Sequence, residues 1–155
     1  MASGVTTEKV FANAAIITYD HDPGTTNALI TSPDGGTTKR YVAMRDFSSF
    51  AVVCMTTIAT GGVTLVDIVG AEDSSGTNVT TIVSSGTVAA DAVGDVVVVE
   101  CTADQVREVG AAAGYNFDFV GARITCSNSA DEAAVTYIRA FPKRAYRGLT
   151  ANAIS

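Results

Sequence analysis

Residues 49–101 read as one short strand after another: SFAVVCMTTIATGGVTLVDIVGAEDSSGTNVTTIVSSGTVAADAVGDVVVVEC. Runs of Val, Ile and Thr are cut at near-regular intervals by GG, DSSG, SSG and VGD. β-Branched side chains are stiff at χ1 and pack well on a pleated surface, whereas Gly, Asp and Ser supply turns. Strands this short, joined by turns rather than helices, leave little room for parallel pairing with its long crossovers. The expectation is an all-β fold, an antiparallel β-sandwich or jelly roll of eight or nine short strands. At 155 residues the chain suits a single domain, large enough to bury a core without staples.

Flanking segments extend the pattern. Residues 1–9 are small and polar and read as a flexible N-terminal arm. Val10 to Tyr19 is apolar enough to pair or dock, and Asp20 to Asn27 reads as a loop broken by Pro23 and Gly24. Ala28 to Thr31, a Pro33-Asp34-Gly35-Gly36 turn and a return through Arg40 to Met44 come next. Thr102-Ala103-Asp104-Gln105 has the form of a capping box and predicts one short helix over Ala103–Val109, closed by Gly110. Tyr115, Phe117 and Phe119 alternate with polar residues, as do Val120, Ala122, Ile124 and Cys126, but one residue out of phase. A β-bulge at Phe119–Gly121 would reconcile the two patterns. Ala133–Ala140 is the last long strand, and an extended basic tail follows from about residue 142 to 155.

Candidate chemistry is sparse. The one histidine, His21, sits between Asp20 and Asp22 with no nucleophile elbow elsewhere, and reads as a solvated loop residue. Asp20, Asp22 and Asp73 lack calcium-loop spacing and read as turn residues. Cys54, Cys101 and Cys126 lie in strand settings without CxxC spacing, so they read as buried small hydrophobes rather than zinc ligands or a disulfide framework. No tryptophan offers a sugar-stacking platform. The Tyr115-Phe117-Phe119 stripe stands beside Asp118, which suits core packing better than base stacking. No phosphate-binding glycine loop is present. The chain is read as a non-enzyme with no cofactor and no metal.

Charge points to a partner instead. Of ten Lys and Arg, four lie in residues 139–155, which hold no acid. The remaining six stand against all sixteen Asp and Glu, so a body of −10 carries a tail of +4. Arg139, Lys143, Arg144 and Arg147 are interleaved with Phe141, Tyr146 and Leu149, and Arg and Tyr are enriched where interfaces gain most of their energy. Docking on an acidic neighbour or a sister subunit competes with a simply solvated tail. Nucleic acid is disfavoured by the acidic body. The Val96-Val97-Val98-Val99 run lacks alternation and suits a strand covered on both faces, which marks it as a possible subunit interface. A charged fraction of only 17% also favours a surface hidden in an assembly. The start MASGVTTEKVF lacks the basic and apolar regions of a signal peptide, and no run approaches the ~18 apolar residues of a membrane helix.

The stretch from Ile58 to Arg139 resembles small β-rich structural proteins of tailed bacteriophages. The likeness is carried by T-G-G-V-T-L-V-D from Thr60, the acidic turn Glu72-Asp73-Ser74-Ser75-Gly76-Thr77, Gly121-Ala122-Arg123-Ile124-Thr125, and the strand end Tyr137-Ile138-Arg139. With the closing Tyr146-Arg147-Gly148-Leu149-Thr150, these residues resemble the capsid decoration, or cement, proteins over about half the chain. The resemblance implies a virion protein on the capsid exterior, made in the host cytoplasm. It would be a homotrimer that binds the major capsid protein and ties neighbouring subunits together. It passes on no binding residue. A carbohydrate- or receptor-binding jelly roll, as on a phage tail, is the alternative expectation.

Overall fold

The computed structural model describes residues 15–22, 41–128 and 130–142. Among them are eight strands and one helix. The strands are β1 (Ala15–Asp22), β2 (Val42–Ala43), β3 (Phe47–Ile58), β4 (Val63–Ala71), β5 (Thr80–Ser84), β6 (Val96–Thr102), β7 (Phe119–Cys126) and β8 (Glu132–Pro142). Helix α1 (Ala103–Ala113) joins β6 to β7. The expected arm, the tail beyond Pro142 and the Ala28–Thr31 strand lie outside the described residues.

The pairing follows one rule. Strand β4 pairs with β5, β3 with β6, β2 with β7 and β1 with β8, all antiparallel. This is a single long hairpin, nested about the β4–β5 connection. Rolling the hairpin adds two more antiparallel ladders, β3 with β8 and β4 with β7. The product is two four-stranded sheets, β1-β8-β3-β6 and β2-β7-β4-β5. An eight-stranded double sheet rolled in this way has the strand order of a jelly roll.

Alternation decides what lies between the sheets. Phe50, Val52, Cys54 and Thr56 of β3 point inward with Val97, Val99 and Cys101 of β6 and Val135 and Tyr137 of β8. They meet Val66 and Ile68 of β4 and Val120, Ala122, Ile124 and Cys126 of β7. Tyr137 crosses this core. Its ring sits edge-on to Phe50 at 5.3 Å, and its hydroxyl accepts a hydrogen bond from the Ala122 amide at 2.9 Å. Strand β2 is two residues long and its ladder stops at Val120, so among the described residues the Ala122 amide has no strand partner on that side. The tyrosine supplies one, which removes the cost of a buried unpaired N–H.

The capping box forms as expected. Gln105 N–H donates to Thr102 Oγ1 at 3.2 Å and Thr102 N–H to Gln105 Oε1 at 2.9 Å. The helix runs past the predicted stop, however. Gly110 is buried inside it because a β-carbon there would crowd the Phe117 ring at about 3.1 Å. Gly114 closes the helix instead, in the left-handed conformation with φ 82°. The expected bulge at Phe119–Gly121 is absent. Phe117 precedes β7 and enters the main core, so Phe119 is free to turn to the far side of its sheet. Register shifts occur elsewhere, in β4 between Val63 and Leu65 and between Ile68 and Val69, and in β3 between Thr56 and Ile58. His21, expected in a loop, occupies β1 opposite Ala134.

A buried carboxylate fastens one pole. Asp131, 1% exposed, accepts from the amides of Thr60 at 2.6 Å, Gly61 at 2.9 Å and Asn128 at 2.8 Å. It thereby ties the β3–β4 turn to the β7–β8 turn. Burial pushes its pKa up, but the amides outweigh burial and hold it at about 2. A carboxylate whose folded pKa lies below its unfolded value stabilises the fold above pH ~4, and that stabilisation fades as the pH falls towards 2. Asp131→Ala leaves these amides unpaired and is expected to cost about 1–3 kcal/mol in urea unfolding at pH 7. Its stability should also fall less steeply than the wild type's between pH 4 and pH 2. Equal slopes would assign the acid sensitivity to other groups.

Candidate interaction surface

All three cysteines are buried and unbridged. Burial pushes the Cys54 thiol up to about 12, with Cys126 adding to the shift, and burial pushes Cys101 to about 12 as well. Thiols held protonated in this way are poor nucleophiles. Asp73 builds its own turn, accepting from Ser75 N–H at 2.8 Å, Thr77 N–H at 3.2 Å and the Thr77 hydroxyl at 2.6 Å. Among the described residues no group of three or more His, Cys, Asp and Glu is placed to hold a metal ion.

The outer face of the β2-β7-β4-β5 sheet carries a polar cluster that the strand pattern did not bring out. Arg123 and Asp67 are direct cross-strand partners. Arg123 Nη2 donates to Asp67 Oδ2 at 2.8 Å and to Thr81 Oγ1 at 2.6 Å. Tyr41, Val69, Ala71 and Phe119 pack beside them, and Gly76 of the β4–β5 loop lies close against the Tyr41 ring. Burial raises the Tyr41 pKa, and the Arg123 charge partly offsets that rise. The one sequence signal was the charge type: Asp67 and Arg123 sit at mid-strand positions that β-branched residues normally take. The Arg123–Asp67 pair and Thr81 tie β7, β4 and β5 together across this face.

The opposite sheet is different. On the outer side of β1-β8-β3-β6, three cross-strand rows lie side by side. They are Val96–Met55–Ala134, Val98–Val53–Thr136 and Glu100–Ala51–Ile138. Val96 and Val98 are each 54% exposed and Met55 is 40% exposed. Val53 and Ile138 are half-buried. The valine run therefore divides by alternation: Val97 and Val99 face the core, and Val96 and Val98 face out. The expected second cover over Val96–Val99 is not supplied by the described residues of this chain.

The basic cluster is split as well. Arg139 is half-buried, with its guanidinium 4.9 Å from the centroid of the Phe47 ring and Nη1 donating to the Ala43 carbonyl at 3.0 Å. It braces the end of β8 against the β2–β3 corner. Lys143, Arg144, Tyr146, Arg147 and Leu149 lie outside the described residues. Phe141, 65% exposed at the end of β8, is the last described side chain before them. Comparison with protein-family models, curated proteins and solved structures returned no match.

The thiol environments give a direct expectation. A disulfide-exchange reagent at pH 8 should titrate essentially no cysteine in the folded protein and all three after denaturation in guanidinium. Rapid labelling of one thiol in the native protein would show that its strand opens readily.

Proposed function

We propose that this chain is a non-enzymatic virion structural protein, a decoration protein that binds the outer surface of a phage capsid and bridges its major capsid subunits. The observation that carries this reading, as a protein that works by assembly, is the outer face of the β1-β8-β3-β6 sheet, where Val96, Val98 and Met55 are exposed together on a chain with only 17% charged residues. A jelly roll with one apolar outer face is suited to being covered by protein. Sugar binding would instead call for a polar site with an aromatic platform. The strand order, the phage-like turns and the basic segment after Pro142 support the same reading. Self-association and capsid binding divide between two surfaces: the valine face serves this chain's own copies, and the segment Lys143–Leu149 serves an acidic patch on the shell. Many weak contacts on one shell gain by multivalency.

Co-sedimentation of the purified protein with capsids lacking it tests the proposal. Binding should saturate and should weaken as salt rises. Arg144→Glu with Arg147→Glu should lower the affinity by roughly ten-fold or more at physiological salt, since reversing rim charges removes attraction and adds repulsion. Unchanged binding by the double variant would remove the tail from the interface. No binding to shells, together with a specific signal on a glycan array, would replace the capsid reading with a receptor-binding one.

A further inference from the structure

Strand β6 ends its sheet, and its ladder phase shows what it offers to solvent. Thr56 N–H donates to the Asp95 carbonyl at 2.9 Å, and Gly94 N–H donates to the Thr56 carbonyl at 2.8 Å. Counting in twos from Asp95 through the β3–β6 register, Val97, Val99 and Cys101 exchange bonds with β3. The N–H and C=O groups of Val96, Val98 and Glu100 therefore point to the open side. Among the described residues no strand pairs with β6 there. No lysine, proline or register shift, devices that stop an edge from recruiting another strand, interrupts Val96–Glu100, and Glu100 is its one charge. A groove of about 440 Å³ runs beside this edge, with Val88 to Ala90 on one side and Val96 to Val98 on the other.

We infer that β6 pairs antiparallel with β6 of a second copy, joining two four-stranded sheets into one continuous sheet about a twofold axis. The occupant is a second copy because the edge is complementary to itself. Centring the axis on Val97 places Val96 opposite Val98 in both directions, so four bonds form between groups that already face outward. The same register sets Glu100 opposite Gly94 and Asp95 opposite Val99, with no like charges opposed. The exposed valines of both copies then form one apolar row on the joined sheet, next to Met55 and Val53 of each. Strand pairing of this kind is isologous, so it closes at two subunits rather than the three expected from the resemblance. The inference stands independently of capsid binding.

The test uses the full chain and two substitutions. Val98→Pro removes an amide that points away from β3, and Val98→Lys places a charge on the edge. Light scattering after size exclusion at micromolar to hundred-micromolar concentration should give a dimer for the wild type and a monomer for both variants. Circular dichroism should show both variants folded. Should Val98→Pro fail to fold, Val98→Lys carries the test. Hydrogen exchange supplies the specific readout: in the wild type the Val96, Val98 and Glu100 amides should exchange at least ten-fold more slowly at high concentration than at low. A folded wild type that is monomeric at the highest concentration, a trimer, a dimer that survives Val98→Lys, or amides at 96, 98 and 100 insensitive to concentration would each overturn the inference. Capsid co-sedimentation of Val98→Lys reads the other surface, so loss of dimer with retained shell binding separates this inference from the decoration reading.

Discussion

The fold depends on β3 being paired on both sides. Phe47–Ile58 holds β8 along one edge and β6 along the other, and these ladders hold together the sheet that carries the exposed valines. The β3–β6 ladder belongs to the nested hairpin. The β3–β8 ladder exists only because the hairpin is rolled. Strand β3 is thus the point at which local pairing becomes three-dimensional, and its residues show the double demand. Phe50, Val52 and Cys54 fill the core, while Ser49, Ala51 and Val53 stay small or β-branched on the outer side. A large charged residue at Val52 would have to be buried between the sheets without a partner, which is costly.

Two polar devices reinforce this arrangement in places where strand pairing runs out. The Tyr137 hydroxyl answers an amide that the short β2 cannot reach. Asp131 gathers amides of the two turns in which the β3–β8 and β4–β7 ladders end. Both are side-chain solutions to backbone demands, one in the core between the sheets and one at the turns that pass from sheet to sheet. The Arg123–Asp67 pair works differently, joining β7, β4 and β5 across an outer face through Thr81. On the other sheet Val96, Val98 and Met55 stay exposed among the described residues.

Strand positions and types were largely legible in the sequence, because period-two alternation and turn chemistry are local signals. The capping box at Thr102 was legible for the same reason. Errors fell where tertiary packing overrode a local rule. Gly110 looked like a helix terminator but is small because Phe117 presses on it, and the true terminator is four residues on. The phase break before Val120 suggested a bulge, whereas Phe117 simply belongs to the segment before the strand. The four-valine run is a different case: Val97 and Val99 take the core face, and Val96 and Val98 take the outer face on which a second cover was expected. Arg139, grouped with the tail by its place in the sequence, also stacks on Phe47. Nothing in a one-dimensional pattern states that an aromatic ring lies beneath an arginine.

The nesting of the hairpin also governs how the domain would respond to force. Strands β1 and β8 are antiparallel neighbours, with Ala15 opposite Ala140, so the two ends of the described chain leave from adjacent positions. Tension applied between those ends would load the β1–β8 ladder one pair at a time, peeling it open from Ala15 towards Asp22. Tension between the outer valine face and the end of β8 would load the β3–β8 and β3–β6 ladders in shear, where many bonds resist together. The same molecule would be a weak link pulled by its two ends and a strong one pulled through its sheet.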